Sequence, residues 1–213
     1  MTDPETTAKS YDAVAGAYAA TYFEEFAHKP FDRLMLDWLI QKVGNRGPIC
    51  DMGCGPGQVA RYLADRGAAA CGIDISAGMV AEARRLNPGI LFDTGTMTDL
   101  AGVAASSLGG LAAFYSILHL APDDMPRAFA EFRRVLAPGG TLLLTFHVGT
   151  EVVHRDEFLG HAVTLDFRFL EPAAIRAELT AAGLALDESI EREPYPDVEY
   201  PSRRAYVFAR RPR

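Results

Sequence analysis

Cysteine is scarce in this chain, with Cys50, Cys54 and Cys71 the only three among 213 residues. Their odd number and unpaired spacing exclude a disulfide framework and a structural zinc site, and point to a reducing, cytoplasmic setting. Positive charge is also short, with 21 Lys and Arg against 28 Asp and Glu and a net charge of −7. An extended basic face able to displace phosphate counterions is therefore not expected, nor is nucleic acid as a partner. Five arginines crowd the last eleven residues (Arg203, Arg204, Arg210, Arg211, Arg213) and read as a solvated strand and frayed tail. No apolar run reaches membrane-spanning length, and Met1 to Lys9 has no apolar stretch of signal-peptide length, so neither insertion nor export is expected. A G-x-S-x-G elbow, a G-x-x-x-x-G-K-[ST] loop and an H-E-x-x-H helix are all missing, which removes three common catalytic designs.

What the chain does have is an alternation of short apolar runs with helical periodicity. At 49% hydrophobic and 23% charged residues it is long enough to bury one core and short for two. Apolar runs at 48 to 52, 69 to 73, 89 to 93, 111 to 115 and 141 to 147 read as strands covered on both faces. Between them, Val59, Ala60, Leu63 and Ala64, then Met79, Val80, Ala83 and Leu86, then Met125, Ala128, Phe129, Phe132, Val135 and Leu136 fall on single helical faces. The third helix is expected to end at Pro138-Gly139-Gly140. The pattern predicts an α/β fold with a mostly parallel sheet and right-handed crossovers.

Two amphipathic helices precede the first strand, carried by Tyr11, Val14, Ala15 and Tyr18 and by Phe31, Leu34, Met35, Trp38 and Leu39. The stretch 148 to 170 shows no clear period and follows the fifth strand, so substrate contacts are expected there. A helix from Pro172 to Ala182 then stops at Gly183. The strands after it, from Leu184 and over Arg204 to Ala209, have no helix between them and should pair antiparallel. One domain follows, divided into an N-terminal helical cap (1 to 46), a binding core (47 to 147), a lid segment (148 to 170) and a C-terminal helix with an antiparallel strand pair (171 to 213).

The densest signal is Ile49-Cys50-Asp51-Met52-Gly53-Cys54-Gly55-Pro56-Gly57-Gln58, a strand running into a glycine turn, with Asp74 closing the next apolar run. Glycines at alternate positions let the backbone turn sharply and keep side chains away from a ligand. The dinucleotide fingerprint G-x-G-x-x-G would place its third glycine at position 58, where Gln58 stands; the pattern is G-x-G-x-G instead. A nicotinamide oxidoreductase is the competing enzyme reading and fits this spacing less well. Asp51, two residues before the first glycine, would repel a pyrophosphate and attract an ammonium or sulfonium group.

These residues resemble the class I methyltransferases that use S-adenosylmethionine. The resemblance rests on Asp51-x-Gly53-x-Gly55-x-Gly57, on Gly72-Ile73-Asp74-Ile75-Ser76-x-x-Met79, on Ile117-Leu118-His119-Leu120 and on Leu136-Ala137-Pro138-Gly139-Gly140, and covers about Tyr11 to Phe208. It implies a single Rossmann-like domain with a seven-stranded, mostly parallel sheet, its last strand antiparallel, and helices on both faces. It also implies S-adenosylmethionine as cofactor and methyl transfer to O, N or C of a small molecule, with S-adenosylhomocysteine as product. A cofactor-binding regulator without turnover is the reading from another class. A monomer or homodimer is expected.

Ligands of open α/β sheets bind outside the carboxyl ends of the strands, near the point where strand order reverses. That rule gathers Gly53, Cys54, Gly55, Gly57, Gln58, Asp74, Thr96, Met97, Tyr115 and Ser116 into one crevice. Asp74 can accept hydrogen bonds from both ribose hydroxyls, or can cap the helix from Ala77. Asp51 can hold the methionine ammonium, or merely order the glycine turn through backbone amides. In the resemblance Ile75 and Met79 flank the adenine, although Met79 also lies on a core face, and Thr96 stands where the family usually has an acid. Tyr11 and Tyr18 can fold back as an aromatic cap over a sulfonium, or can simply pack. His119 is the candidate catalytic base for a substrate hydroxyl or amine, with a structural histidine as the alternative. His147, His154 and His161 recur every seven residues. At helical spacing such neighbours lie roughly 10 Å apart, so coincidence or substrate-pocket lining is expected and no metal.

Overall fold

A computed structural model describes residues 2 to 213. The chain runs through helices α1 (Pro4–Tyr22) and α2 (Pro30–Val43) before the sheet begins with β1 (Ile49–Met52). It continues through α3 (Gln58–Asp65), β2 (Ala70–Asp74), α4 (Ala77–Leu86), β3 (Leu91–Thr94), β4 (Leu108–Phe114), α5 (Met125–Val135) and β5 (Leu136–His147). A hairpin of β6 (Val152–Phe158) and β7 (His161–Arg168), then α6 (Pro172–Ala181), β8 (Ala185–Arg192) and β9 (Arg204–Arg210), complete the fold.

Seven strands form one sheet in the order β3-β2-β1-β4-β5-β9-β8. The first five run parallel, and β9 inserts antiparallel between β5 and β8. This is the expected architecture, with the reversed last strand lying inside the sheet rather than at its edge. Strand order reverses between β1 and β4, and there the carboxyl ends diverge into a crevice.

Alternation through the sheet explains why the strands read as continuous apolar runs. Cys50, Met52, Leu111, Ala113, Leu142, Leu144, Ala205 and Val207 pack toward α5 and α6. Ile49, Ala112, Leu143, Tyr206 and Phe208 point the other way, toward α2 and α3. A strand buried on both faces gains from apolar side chains at every position. Helix α2 is thus a covering layer of the sheet rather than part of a cap. Only its Leu34 departs from the expected buried face, and it is exposed.

Three expectations need correction. Helix α5 ends at Val135, three residues before Pro138, because Leu136 is already extended (φ −65°, ψ 136°) and pairs with Leu108 of β4. Strand pairing then jumps from Leu108↔Leu136 to Gly110↔Thr141, so residues 137 to 140 bulge out of β5. The stretch 148 to 170 is not irregular, since its strands pair antiparallel around a two-residue turn, Leu159-Gly160, with φ of 52° and 77°. Such a turn normally signals itself by Asn-Gly, and the leucine concealed it. The alternation Val163, Leu165, Phe167 was legible and points those side chains toward Val14, Ala15 and Met79. Finally, the C-terminal arginines are not uniformly solvated. Arg204 is buried against Glu199, Arg203 pairs with Glu191, and Arg210 pairs with Asp187.

Helix α1 lies across α4 and β7, away from the sheet itself. Ser10 fastens it there, its hydroxyl donating to the Thr164 carbonyl at 3.1 Å and accepting from the Thr164 amide at 3.0 Å. Helix α1 and the hairpin together roof the crevice.

Candidate functional site

Beneath that roof lies a cavity of about 710 Å³, lined by the carboxyl ends of the parallel strands, by α1 and by the hairpin. It collects Tyr11, Tyr18, Asp51, Gly53, Cys54, Gly55, Gln58, Asp74, Ile75, Met79, Thr96, Met97, Tyr115, Ser116 and His119. Gly57 does not line it.

The glycine turn is built more for packing than for access. At Gly53 (φ 73°) a Cβ would sit 2.3 Å from the Ser116 Cβ, and at Gly57 (φ 87°) it would meet Asn87 Nδ2 at 2.6 Å and Phe92 at 2.8 Å. Gly55 alone has room for a Cβ, which would make ordinary contact with Gln58 and Tyr18 at 3.8 Å. The sequence suggested that all three cleared a path for a ligand; two of them clear it for the protein's own side chains. Ser116 is correspondingly turned inward, its hydroxyl donating to the Met52 carbonyl at 2.7 Å. Cys54 likewise sends its side chain into a core cluster with Phe92 and Val80 and offers only backbone to the crevice.

Asp74 accepts one backbone amide on each carboxylate oxygen, Gly55 N on Oδ2 and Ser76 N on Oδ1, both at 2.8 Å. Each oxygen keeps a lone pair for a further donor. Burial raises its pKa against these bonds. The cap of α4 is Ser76, whose Oγ accepts from Met79 N at 3.0 Å. Asp12 of α1 completes it, accepting from Ser76 Oγ at 2.6 Å and from Gly78 N at 2.7 Å. Asp12 therefore ties the roof to the crevice; nothing marked it in the sequence except its place beside Tyr11. Met79 is fully buried against α1, on the core face expected of it, and also lines the cavity.

Asp51 is the electrostatic anomaly. Its Oδ2 accepts from Ala60 N in α3 at 3.2 Å, not from the glycine turn, and its Oδ1 is buried with no donor among the described residues. An orphaned buried carboxylate oxygen costs free energy unless a ligand or a proton compensates it. Burial accordingly drives its pKa well above the carboxylate range. A cationic group entering the crevice would remove that penalty; a phosphate would increase it.

His119, in a short 3-10 turn after β4, is half-buried between two partners. Its Nδ1 lies 2.9 Å from the Asp166 carbonyl, which can only accept, so the proton sits on Nδ1. Its Nε2 is then an acceptor and takes the Tyr11 hydroxyl at 2.7 Å. Burial lowers its pKa to about 4, which keeps the ring neutral. The sequence placed His119 directly before the reacting atoms; the structure puts Tyr11 in front of it. Tyr18 packs edge-on against Tyr11, their centroids 6.1 Å apart.

The far end of the cavity, marked in the sequence only by His147, contains Tyr22, Glu25, Lys29, Phe114, His147, Phe158, Phe169 and Tyr200. Lys29 Nζ pairs with Glu25 Oε2 at 2.5 Å, and Glu25 also accepts from Gln58 Nε2 at 3.1 Å. Behind them, Glu199 receives two bonds from Arg192 at 2.7 and 2.8 Å and faces Arg204 at 3.2 Å. Asp32 accepts from the Tyr206 hydroxyl in the same buried cluster. Tyr115 sits at the boundary with φ of 50°, a strained value for a non-glycine residue. Its amide is pinned by the Thr145 carbonyl at 3.0 Å and the Thr145 hydroxyl at 3.1 Å. The three spaced histidines lie on strands, not on one helix, and His147 and His154 have separate partners. His154 contacts Asp166 and Asp156 on the exposed side of the hairpin, His147 bonds Ser202, and among the described residues no cluster suited to a metal ion forms.

Comparison with known proteins agrees with this geometry. Residues 49 to 140 match the family described as a methyltransferase domain. A malonyl-[acyl-carrier protein] O-methyltransferase from Enterobacter lignolyticus is 31% identical over 137 residues, covering 62% of this chain and 53% of the relative. The chain thus spans about half of that relative's length. A ubiquinone biosynthesis O-methyltransferase from Pseudomonas aeruginosa is 27% identical over 195 residues, covering 79% of this chain and 83% of the relative. In fold, the chain resembles the 1,6-didemethyltoxoflavin-N1-methyltransferase of Burkholderia thailandensis, with a TM-score of 0.73 at 15% identity and coverage of 100% and 92%.

Proposed function

The chain belongs to the class I S-adenosylmethionine-dependent methyltransferases, and from that premise we propose that it methylates an oxygen, nitrogen or carbon atom of a small-molecule acceptor. The observation that carries this reading is Asp51, a buried carboxylate with an unpaired Oδ1 at the wall of a cavity that a cationic nucleoside would enter. In this reading Asp51 holds the α-ammonium, Asp74 the ribose hydroxyls through its free lone pairs, and the Gly53 to Gly57 backbone passes beneath the ligand. Ile75, Met79, Thr96 and Met97 flank the adenine. Tyr11 and Tyr18 close the crevice from α1 and offer aromatic faces to a sulfonium.

S-adenosylmethionine, when bound, supplies an activated methyl group and a thioether leaving group. The protein's part is to align, to exclude water and to hold charge. His119 serves that part indirectly, as the acceptor that fixes the Tyr11 hydroxyl at the cavity wall. We assign residues 148 to 170 and α1 to a roof over the acceptor. The curated relatives named above act, by their names, on malonyl-[acyl-carrier protein] and on a ubiquinone precursor pathway. The first carries its acyl group on a protein, so the small-molecule reading for this chain rests on the cavity of about 710 Å³. The three free cysteines support a reducing cytoplasmic setting, and no helix among the described residues is long and apolar enough to cross a membrane.

Calorimetry with S-adenosylhomocysteine and with NADH tests the cofactor assignment. Saturable binding of the first and none of the second is expected; tighter NADH binding would overturn it. Incubation with methyl-labelled donor and a metabolite extract tests turnover, and a regulator would bind the product nucleoside while labelling nothing.

A further inference from the structure

We infer that the open Nε2 of His147 hydrogen-bonds the methyl acceptor, and that this end of the cavity takes a flat ring bearing an O–H or N–H group. The inference rests on the methyltransferase reading and deepens it at the acceptor end.

His147 is the last residue of β5, where the strand opens into the cavity. Its Nδ1 is committed to the Ser202 hydroxyl at 2.7 Å, and among the described residues nothing bonds its Nε2. Three rings pack around the imidazole. Tyr115 and Phe169 have centroids 5.1 Å away, and Tyr200 lies 5.9 Å away at a steep angle. Phe114 and Phe158 extend the aromatic wall along the cavity. Aromatic walls favour a planar guest through offset and edge-on contact, and a polar atom fixed in such a wall orients that guest.

His119 cannot fill this role, because Tyr11 occupies its Nε2 and the Asp166 carbonyl its Nδ1. Of the two half-buried imidazoles at the cavity, His147 alone has a nitrogen unclaimed among the described residues. Burial, reinforced by Arg204 and Lys29, lowers its pKa to about 4, so the ring is neutral and Nε2 can pair with a hydroxyl, which both donates and accepts. The strained backbone of Tyr115 holds one wall of the box in place, as expected where geometry is fixed for a ligand.

The test compares 2-naphthol with naphthalene, two guests of one shape that differ by the hydroxyl, on protein loaded with S-adenosylhomocysteine. Wild type should prefer 2-naphthol by about 3- to 10-fold, the value of one neutral hydrogen bond. His147→Phe keeps the aromatic wall and removes the nitrogen; His147→Asn keeps a polar atom only at the Nδ1 position. Both should abolish the preference. His147→Gln places an amide oxygen near the Nε2 position and should retain it, which separates a lost hydrogen bond from a damaged fold. An unchanged preference in His147→Phe and His147→Asn overturns the assignment, as does failure of both guests to bind. Failure of S-adenosylhomocysteine to bind condemns the methyltransferase reading instead, and the naphthol preference is then read on the protein alone.

Discussion

Replacing Asp51 by asparagine should move affinity and stability in opposite directions. The carboxylate is 1% exposed, has one backbone bond to Ala60 N, and leaves Oδ1 with no partner. Asparagine keeps an acceptor for Ala60 N and removes the buried charge. The unliganded protein should therefore be stabilised, by about 1 kcal/mol, which for a chain of this size raises Tm by about 2 to 4 °C. A ligand ammonium, by contrast, loses a charge-assisted hydrogen bond of about 1.5 to 3 kcal/mol, so S-adenosylhomocysteine should bind about 10- to 100-fold more weakly. A pH dependence follows from the same carboxyl. Its folded pKa lies above the ordinary value, so wild-type affinity should fall as acidification protonates it, and the variant should lack that component. Thermal melts without ligand and calorimetry across pH provide both readouts. Unchanged affinity would refute the ligand role. Joint loss of stability and affinity would show that Asp51 orders the start of α3 and nothing more.

Gly53→Ala should cost about 2 kcal/mol or more, because its Cβ would overlap Ser116 at a left-handed backbone. Gly55→Ala, with room for its Cβ, should cost only about 1 kcal/mol in a denaturant melt; equal losses at the two sites would contradict the packing account. Tyr11→Phe strands the buried Nε2 of His119 and should destabilise by about 1 to 3 kcal/mol. Glu199→Gln breaks the pairing with Arg192 and Arg204 and should cost about 3 to 5 kcal/mol, a loss that calorimetric or chemical unfolding will register. The half-buried histidines His119 and His147 both have folded pKa values of about 4, below the ordinary 6.5. The unfolded chain takes up protons between those values that the fold refuses, so stability is full above pH 6.5 and declines toward pH 4, by up to about 3 kcal/mol per histidine. Asp32, Asp51 and Asp74, whose pKa values burial raises, oppose that decline. His147→Gln should therefore flatten the acid limb of a Tm against pH curve; an unaltered limb would show that His147 is not held neutral.

The strands, the helices and the nucleotide crevice were legible because their signals are local. Ile49 to Met52 is apolar throughout since both faces of β1 are covered, and Gly53 and Gly57 announce a turn that no side chain could occupy. The hairpin was missed because its turn is Leu159-Gly160 and most side chains of β6 are exposed. Asp12 was not marked as a site residue, and His147 was marked only as pocket lining, because each acquires its role from a partner more than 50 residues away in sequence, Ser76 and Ser202.

By itself the sequence determined the α/β class, the reversed final strand and a crevice flanked by Asp51 and Asp74, since hydrophobic period and glycine spacing act over a few residues. Tertiary structure alone decided which polar atoms are satisfied. Only when α1 crosses α4 and β5 meets the C-terminal loop does Tyr11 claim His119, does Ser202 take one nitrogen of His147, and does Asp51 keep an oxygen without a partner. Such pairings depend on distances between remote segments, which residue order does not encode locally.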